Sequence, residues 1–235
     1  MDRINEWRSP LKAATTLMDF KKNLALRVGD EALKGRLIAR LVANYSYWLG
    51  GFFTQEIRSG SAREGFVLKT PGGRSEIMAS KAIMSPVSFN KYGVSLPVLD
   101  GLAANSLADA RKEGKIALID ELGPLTLESR KLAAAALETL ASDTPCLVTF
   151  RKNAKKFEDS FIKMNNTQVL DLGETATAVS TRGSIPRKGV GETAVRFPPV
   201  GKSPWKGSRL DAAGLSAVLA RLDGWMEFWI KELTK

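Results

Sequence analysis

Ile116-Ala117-Leu118-Ile119-Asp120-Glu121 is a run of four apolar residues that ends in two adjacent carboxylates, with Gly123-Pro124 just beyond. An uninterrupted apolar run, without polar alternation, suits a strand buried on both faces, as in a parallel sheet covered by helices. The carboxyl end of such a strand opens on the crevice where α/β proteins hold their ligands. There Asp120 is placed to reach a magnesium ion through water, and Glu121 to polarise a water that attacks a terminal phosphate. A strand that runs out into an acidic turn gives the same pattern without any chemistry, so the flanking sequence has to decide.

On both sides, strand-like and helix-like stretches alternate. Asn23 to Val28 is strand-like, and after Gly29 the apolar residues Leu33, Leu37, Ile38, Leu41 and Val42 recur at helical spacing. Tyr47 to Ile57 and Arg63 to Thr70 flank the turn signal Ser59-Gly60-Ser61 and predict a β-hairpin, with a third strand around Ile77. Pro97 opens a helix that ends near Gly114. Thr126 to Ser142 reads as a helix, Pro145 to Phe150 as a strand, Lys155 to Met164 as a helix and Thr167 to Leu172 as a short strand. The expected fold is α/β, a mainly parallel sheet flanked by helices with a β-hairpin insertion.

Composition narrows the chemistry. The 235 residues contain no histidine and one cysteine, Cys146, which excludes histidine-dependent catalysis, cysteine zinc sites and intrachain disulfides. Cys146 lies in the apolar stretch Cys146-Leu147-Val148 and reads as a buried thiol. Carboxylates, lysines, arginines and hydroxyls remain to do the work. No apolar run is long enough for a membrane helix, and Met1-Asp2-Arg3-Ile4-Asn5-Glu6 lacks the basic start of a signal peptide, so a cytoplasmic location is expected.

The net charge of +10 points to polyanionic partners. Between Ala176 and Arg209 seven basic residues face the single acid Glu192, amid several prolines and glycines. That composition divides the chain into an extension (1–22), an α/β domain (23–174), a basic Pro/Gly-rich linker (175–208) and an amphipathic helix (209–235). Residues 182–209 are a candidate nucleic-acid contact. Leu215, Leu222, Trp225, Met226 and Trp229 share one stripe of the last helix, for packing back onto the domain or for docking on a partner.

Four motifs in order, Gly50-Gly51-Phe52-Phe53-Thr54-Gln55-Glu56-Ile57-Arg58, Arg63-Glu64-Gly65-Phe66, Lys91-Tyr92-Gly93-Val94 and Ile119-Asp120-Glu121-Leu122-Gly123, resemble the cancer-related nucleoside-triphosphatase family. The resemblance implies a P-loop NTPase fold and magnesium-dependent removal of the terminal phosphate from nucleoside triphosphates. It also implies a metal-binding role for Asp120 and a catalytic, water-activating role for Glu121.

The phosphate loop departs from the family. A working loop reads G-x-x-x-x-G-K-[ST], whereas the corresponding stretch is Val28-Gly29-Asp30-Glu31-Ala32-Leu33-Lys34-Gly35. Lys34 holds the lysine position; Gly29, Gly35 and Lys34 are the candidate phosphate contacts, with Gly35 standing where the family has a hydroxyl. Asp30 and Glu31 bring negative charge to the same place, which also suits an ordinary helix start. Arg151, at the end of the strand from Cys146, is a further phosphate candidate if its strand neighbours that of Asp120. Pro199-Val200-Gly201-Lys202-Ser203 imitates the end of a phosphate loop but has Arg196 where the first glycine belongs. A catalytically inactive relative that acts as a binding or scaffold module is the alternative function.

Overall fold

The computed structural model describes residues 20–151, 154, 158–163, 166–172 and 212–235. The expected extension before residue 20, the basic linker and the candidate nucleic-acid contact at 182–209 lie outside them.

Among the described residues nine strands form one sheet: β1 (Asn23–Val28), β2 (Leu49–Ser59), β3 (Ala62–Lys69), β4 (Ser75–Ser80), β5 (Ser88–Phe89), β6 (Tyr92–Val94), β7 (Ile116–Ile119), β8 (Cys146–Arg151) and β9 (Thr167–Asp171). Their order is β5-β6-β4-β3-β2-β7-β8-β1-β9. From β2 to β9 every pairing is parallel, while β2 and β3 begin the antiparallel half. The predicted hairpin is therefore β2 and β3, turned at Ser59-Gly60-Ser61, and β4 is the strand expected around Ile77; two short strands, β5 and β6, extend it. The longer helices among the described residues are α1 (Glu31–Tyr45), α2 (Ala104–Lys112), α3 (Arg130–Ala141) and α4 (Ala212–Leu233).

The apolar runs have a simple packing cause. Along the parallel strands successive side chains alternate between two separate cores. Ala25, Ala117, Ile119 and Val148 point into the core closed by α2 and α3. Leu24, Leu26, Ile116, Leu118 and Leu147 point into the core closed by α1 and α4. With helices on both faces, no strand position in β7 can be polar, and all four of its residues are buried.

The C-terminal stripe packs back onto the domain. Val218, Leu222, Trp225 and Met226 are buried in the second core. Trp225 Nε1 donates to the Lys21 carbonyl at 2.9 Å, and Arg40 of α1 grips both oxygens of Asp223 at 2.8 and 2.6 Å. At one position backbone approach dictates the residue. Gly51 has φ +80°, and a Cβ there would lie 2.2 Å from the Leu118 carbonyl oxygen, so β2 can lie against β7 only with glycine.

Three helices differ from the sequence reading in detail. The segment opened by Pro97 passes through a wide π-type turn, Leu99–Ala103, before α2. Thr126 begins a separate 3₁₀ turn, Thr126–Glu128, and α3 starts anew behind the cap of Ser129, whose hydroxyl accepts the Leu132 N–H at 2.9 Å. Of the helix expected over Lys155 to Met164, the described residues show a π-type turn, Glu158–Ile162.

Cys146 is fully buried, and burial pushes its thiol up to about 12. The native protein at pH 8 should therefore show no reaction of Cys146 with a disulfide reagent such as dithionitrobenzoate over minutes, and stoichiometric reaction once unfolded in guanidinium. Rapid labelling of the native protein would contradict the packing of β8.

Candidate active site

Strand register brings the candidate residues to one edge. Ile119 pairs with Val148, so Asp120 emerges beside Thr149; Val28 pairs with Arg151, so the end of β8 meets the start of α1. One strand, β8, separates the acidic strand β7 from β1.

The stretch that corresponds to the phosphate loop folds as a helix start. Asp30 has φ −122° and ψ 111°, and its Oδ1 accepts the N–H groups of Ala32 and Leu33 at 2.8 and 3.1 Å. These main-chain donors of the first turn are satisfied within the chain. The missing glycines are the cause. With Val28 and Leu33 in their places, the backbone follows the cheaper path of a capped helix, and Leu33 turns into the core at 1% exposure.

Lys34 lies one turn into α1, with its side chain only 9% exposed. Its Nζ is 2.9 Å from Glu121 Oε2, 3.0 Å from Glu31 Oε2 and 3.5 Å from Asp120 Oδ1. Burial opposes its charge, but the three carboxylates outweigh burial and hold the ammonium well above its ordinary range.

Asp120 is 1% exposed; its Oδ1 accepts the Thr149 hydroxyl and its Oδ2 the Thr54 N–H at 3.1 Å. Burial pushes its carboxyl upward, against Lys34 and these two hydrogen bonds. Glu121 Oε1 takes the Arg151 Nε at 2.9 Å. Burial would raise Glu121 too, yet Lys34 and Arg151 hold it below the usual carboxylate range.

Of the residues singled out in the sequence, Lys34, Asp120, Glu121 and Arg151 meet in one cluster. Gly35 lines the adjoining cavity, whereas Gly29 forms the turn before the cap and is not among the lining residues. The sequence reading missed two partners, Thr54 and Thr149, which orient Asp120. Glu31, which it noted as negative charge at this place, bridges the two cations by contacting Arg151 Nη2 at 3.4 Å as well as Lys34. Thr149 was signalled only by being the one hydroxyl in the apolar strand β8. Thr54 stands within the motif Gly50 to Arg58, but only pairing register reveals what its N–H does.

The cavity beside the cluster has a volume of about 450 Å³. Its lining combines the charged side chains of Lys34, Arg151, Glu31 and Glu121 with the apolar Phe66, Met78 and Phe89 of the antiparallel strands.

Residues 31–183, more than half of the chain, match the family described as NTPase. The chain belongs to that NTPase family. Its relatives include the nucleoside-triphosphatase THEP1 of Methanocaldococcus jannaschii, 34% identical over 123 residues that make up 52% of this chain and 72% of that protein. The THEP1 of Thermotoga maritima is 31% identical over 147 residues, 63% of this chain and 82% of that one. The crystal structure of THEP1 from the hyperthermophile Aquifex aeolicus shares the fold, with a TM-score of 0.55 at 23% identity over 64% of this chain and 88% of that one. The likeness places this chain in the P-loop NTPase fold. The NTPase match begins at Glu31, inside the first turn of α1 and past the turn where Gly29 lies.

Proposed function

We propose that this NTPase-family chain removes the terminal phosphate of nucleoside triphosphates by water attack, with a divalent metal, magnesium by its hard oxygen donors, held at Asp120. The observation that carries the proposal is the cluster itself. A buried carboxylate, a second carboxylate at the cavity edge and two cations within hydrogen-bond distance of it stand at the carboxyl end of a parallel sheet, on a cavity large enough for a ligand.

Each side chain has a task. Lys34 and Arg151, now paired with carboxylates, take the terminal phosphate oxygens as charge spreads over them. Glu121, turned toward the cavity, orients the water and accepts its proton. Thr54 and Thr149 fix the orientation of the Asp120 carboxylate, 3.5 Å from Lys34. The carboxylate oxygens of Asp120 suit a hard divalent cation. Among the described residues no group of three or more His, Cys, Asp or Glu side chains is arranged to hold a metal alone. Asp120 would hold the ion together with non-protein ligands, and the ion would supply neutralisation of phosphate charge. The cradle differs from a glycine loop: side-chain cations, more than main-chain N–H groups, carry the phosphate.

No described helix is long and apolar enough to cross a membrane. The test is phosphate release from ATP, GTP, CTP and UTP with magnesium and with excess EDTA. Turnover that EDTA abolishes supports the reading. No release from any of the four assigns the chain to a catalytically inactive member of the family.

A further inference from the structure

The cavity wall carries three cations, Lys34, Arg58 and Arg151, and three carboxylates, Glu31, Glu56 and Glu121. Glu121 has a place in the chemistry. Glu56 is fixed in the hairpin, gripped by Arg58 at 2.6 Å and Arg63 at 2.8 Å. Glu31, like Glu121, contacts both phosphate-facing cations, 3.0 Å from Lys34 and 3.4 Å from Arg151, and of the two it is the more exposed, its side chain at 42% against 15%.

We infer that Glu31 is a built-in competitor for the anionic substrate and sets the affinity of this site for phosphate. Its carboxylate lies against the same two cations that a phosphate must use, at the start of a helix where an anion is favoured. Binding a phosphate chain therefore requires Glu31 to swing out toward solvent, which its exposure permits, or to stay at the cost of repulsion between anions a few ångströms apart. Asp30 acts beside it, since its carboxylate already occupies the N–H groups of Ala32 and Leu33. Both cations are thus already paired with carboxylates, and the substrate has to displace an internal anion before it can pair with Lys34 and Arg151. An acid in a helix first turn also has a plain structural use, a modest favourable interaction with the helix dipole. That use does not require the side chain to bridge two cations on different elements.

The inference rests on the cleft being a phosphate site, and its test breaks no bond. Inorganic tripolyphosphate is titrated calorimetrically into the full chain, into Glu31→Gln and into Glu76→Gln, which makes the same charge change on an exposed position of β4. Glu31→Gln should bind roughly tenfold more tightly than the natural chain at low salt, the gain shrinking as salt is raised, whereas Glu76→Gln should change affinity by less than about twofold. Thermal unfolding of each variant establishes that it is folded. Equal or weaker binding by folded Glu31→Gln, or an equal gain from Glu76→Gln, overturns the inference. Tighter binding without nucleotide turnover would leave the role of Glu31 standing and remove hydrolysis. Turnover with unchanged tripolyphosphate affinity in Glu31→Gln would do the reverse.

Discussion

Replacing Glu121 with Gln should lower kcat for phosphate release by about 100-fold or more while changing KM by only a few-fold, as expected where a general base is lost. Gln keeps the size of Glu and can still touch Lys34 and Arg151, but it cannot accept the proton of the attacking water. The low basicity of Glu121 while it pairs with Lys34 and Arg151 does not argue against this role. Lys34 and Arg151 hold its carboxyl down, and phosphate binding draws both cations away, which raises the carboxylate's proton affinity when the water must be activated. Steady-state kinetics on purified Glu121→Gln check the prediction, with a melting curve to show the fold intact. Unchanged kcat would remove Glu121 from the chemistry.

Lys34→Met should cost about 3–5 kcal/mol of folding stability, because it strands a buried charge. Asp120 is 1% exposed and keeps only hydrogen bonds once the ammonium is gone, while Glu121 retains Arg151. The pH dependence gives the prediction its sign. Without Lys34 the burial that already pushes Asp120 upward is unopposed by a nearby cation, so the folded variant holds a proton that the unfolded chain releases near pH 4. The folded state then binds more protons than the unfolded state, and stability falls as pH rises. The deficit relative to the natural chain should be small near pH 4 and largest at neutral pH. Urea unfolding at several pH values measures it. A deficit independent of pH would mean that Lys34 contributes packing and not charge compensation. The natural chain should behave in the opposite sense through Glu121: its carboxyl lies below the ordinary range when folded, so that contribution is present above about pH 4.5 and is lost on acidification below it.

The fold was legible where one physical signal settles the matter. The apolar run of β7 has to be buried on both faces. The helical stripe from Leu33 to Val42 has to cover one of those faces, and Ser59-Gly60-Ser61 has to turn a hairpin. The stripe around Trp225 was equally visible, but periodicity says only that a face is apolar, and packing against α1 and the Lys21 carbonyl was needed to say what it covers. In the site, Asp120 and Glu121 announced themselves by two charges at the end of an apolar strand, and Lys34 by its spacing. Thr54 and Thr149 did not, because a hydroxyl residue in a strand is common and its role depends on register across three strands. Glu31 was legible both as negative charge beside the phosphate contacts and as an ordinary first-turn acid. Only the distances to Lys34 and Arg151 separate it from one, and they depend on how far the helix start advances when glycines are absent.

The most direct measurement follows the oxygen. ATP is turned over once with magnesium in water enriched in ¹⁸O, and the products are weighed by mass spectrometry. Attack of a Glu121-oriented water on the terminal phosphorus predicts inorganic phosphate carrying a single ¹⁸O atom and ADP carrying none. Label in the nucleotide product, or no phosphate formed at all, would contradict the account.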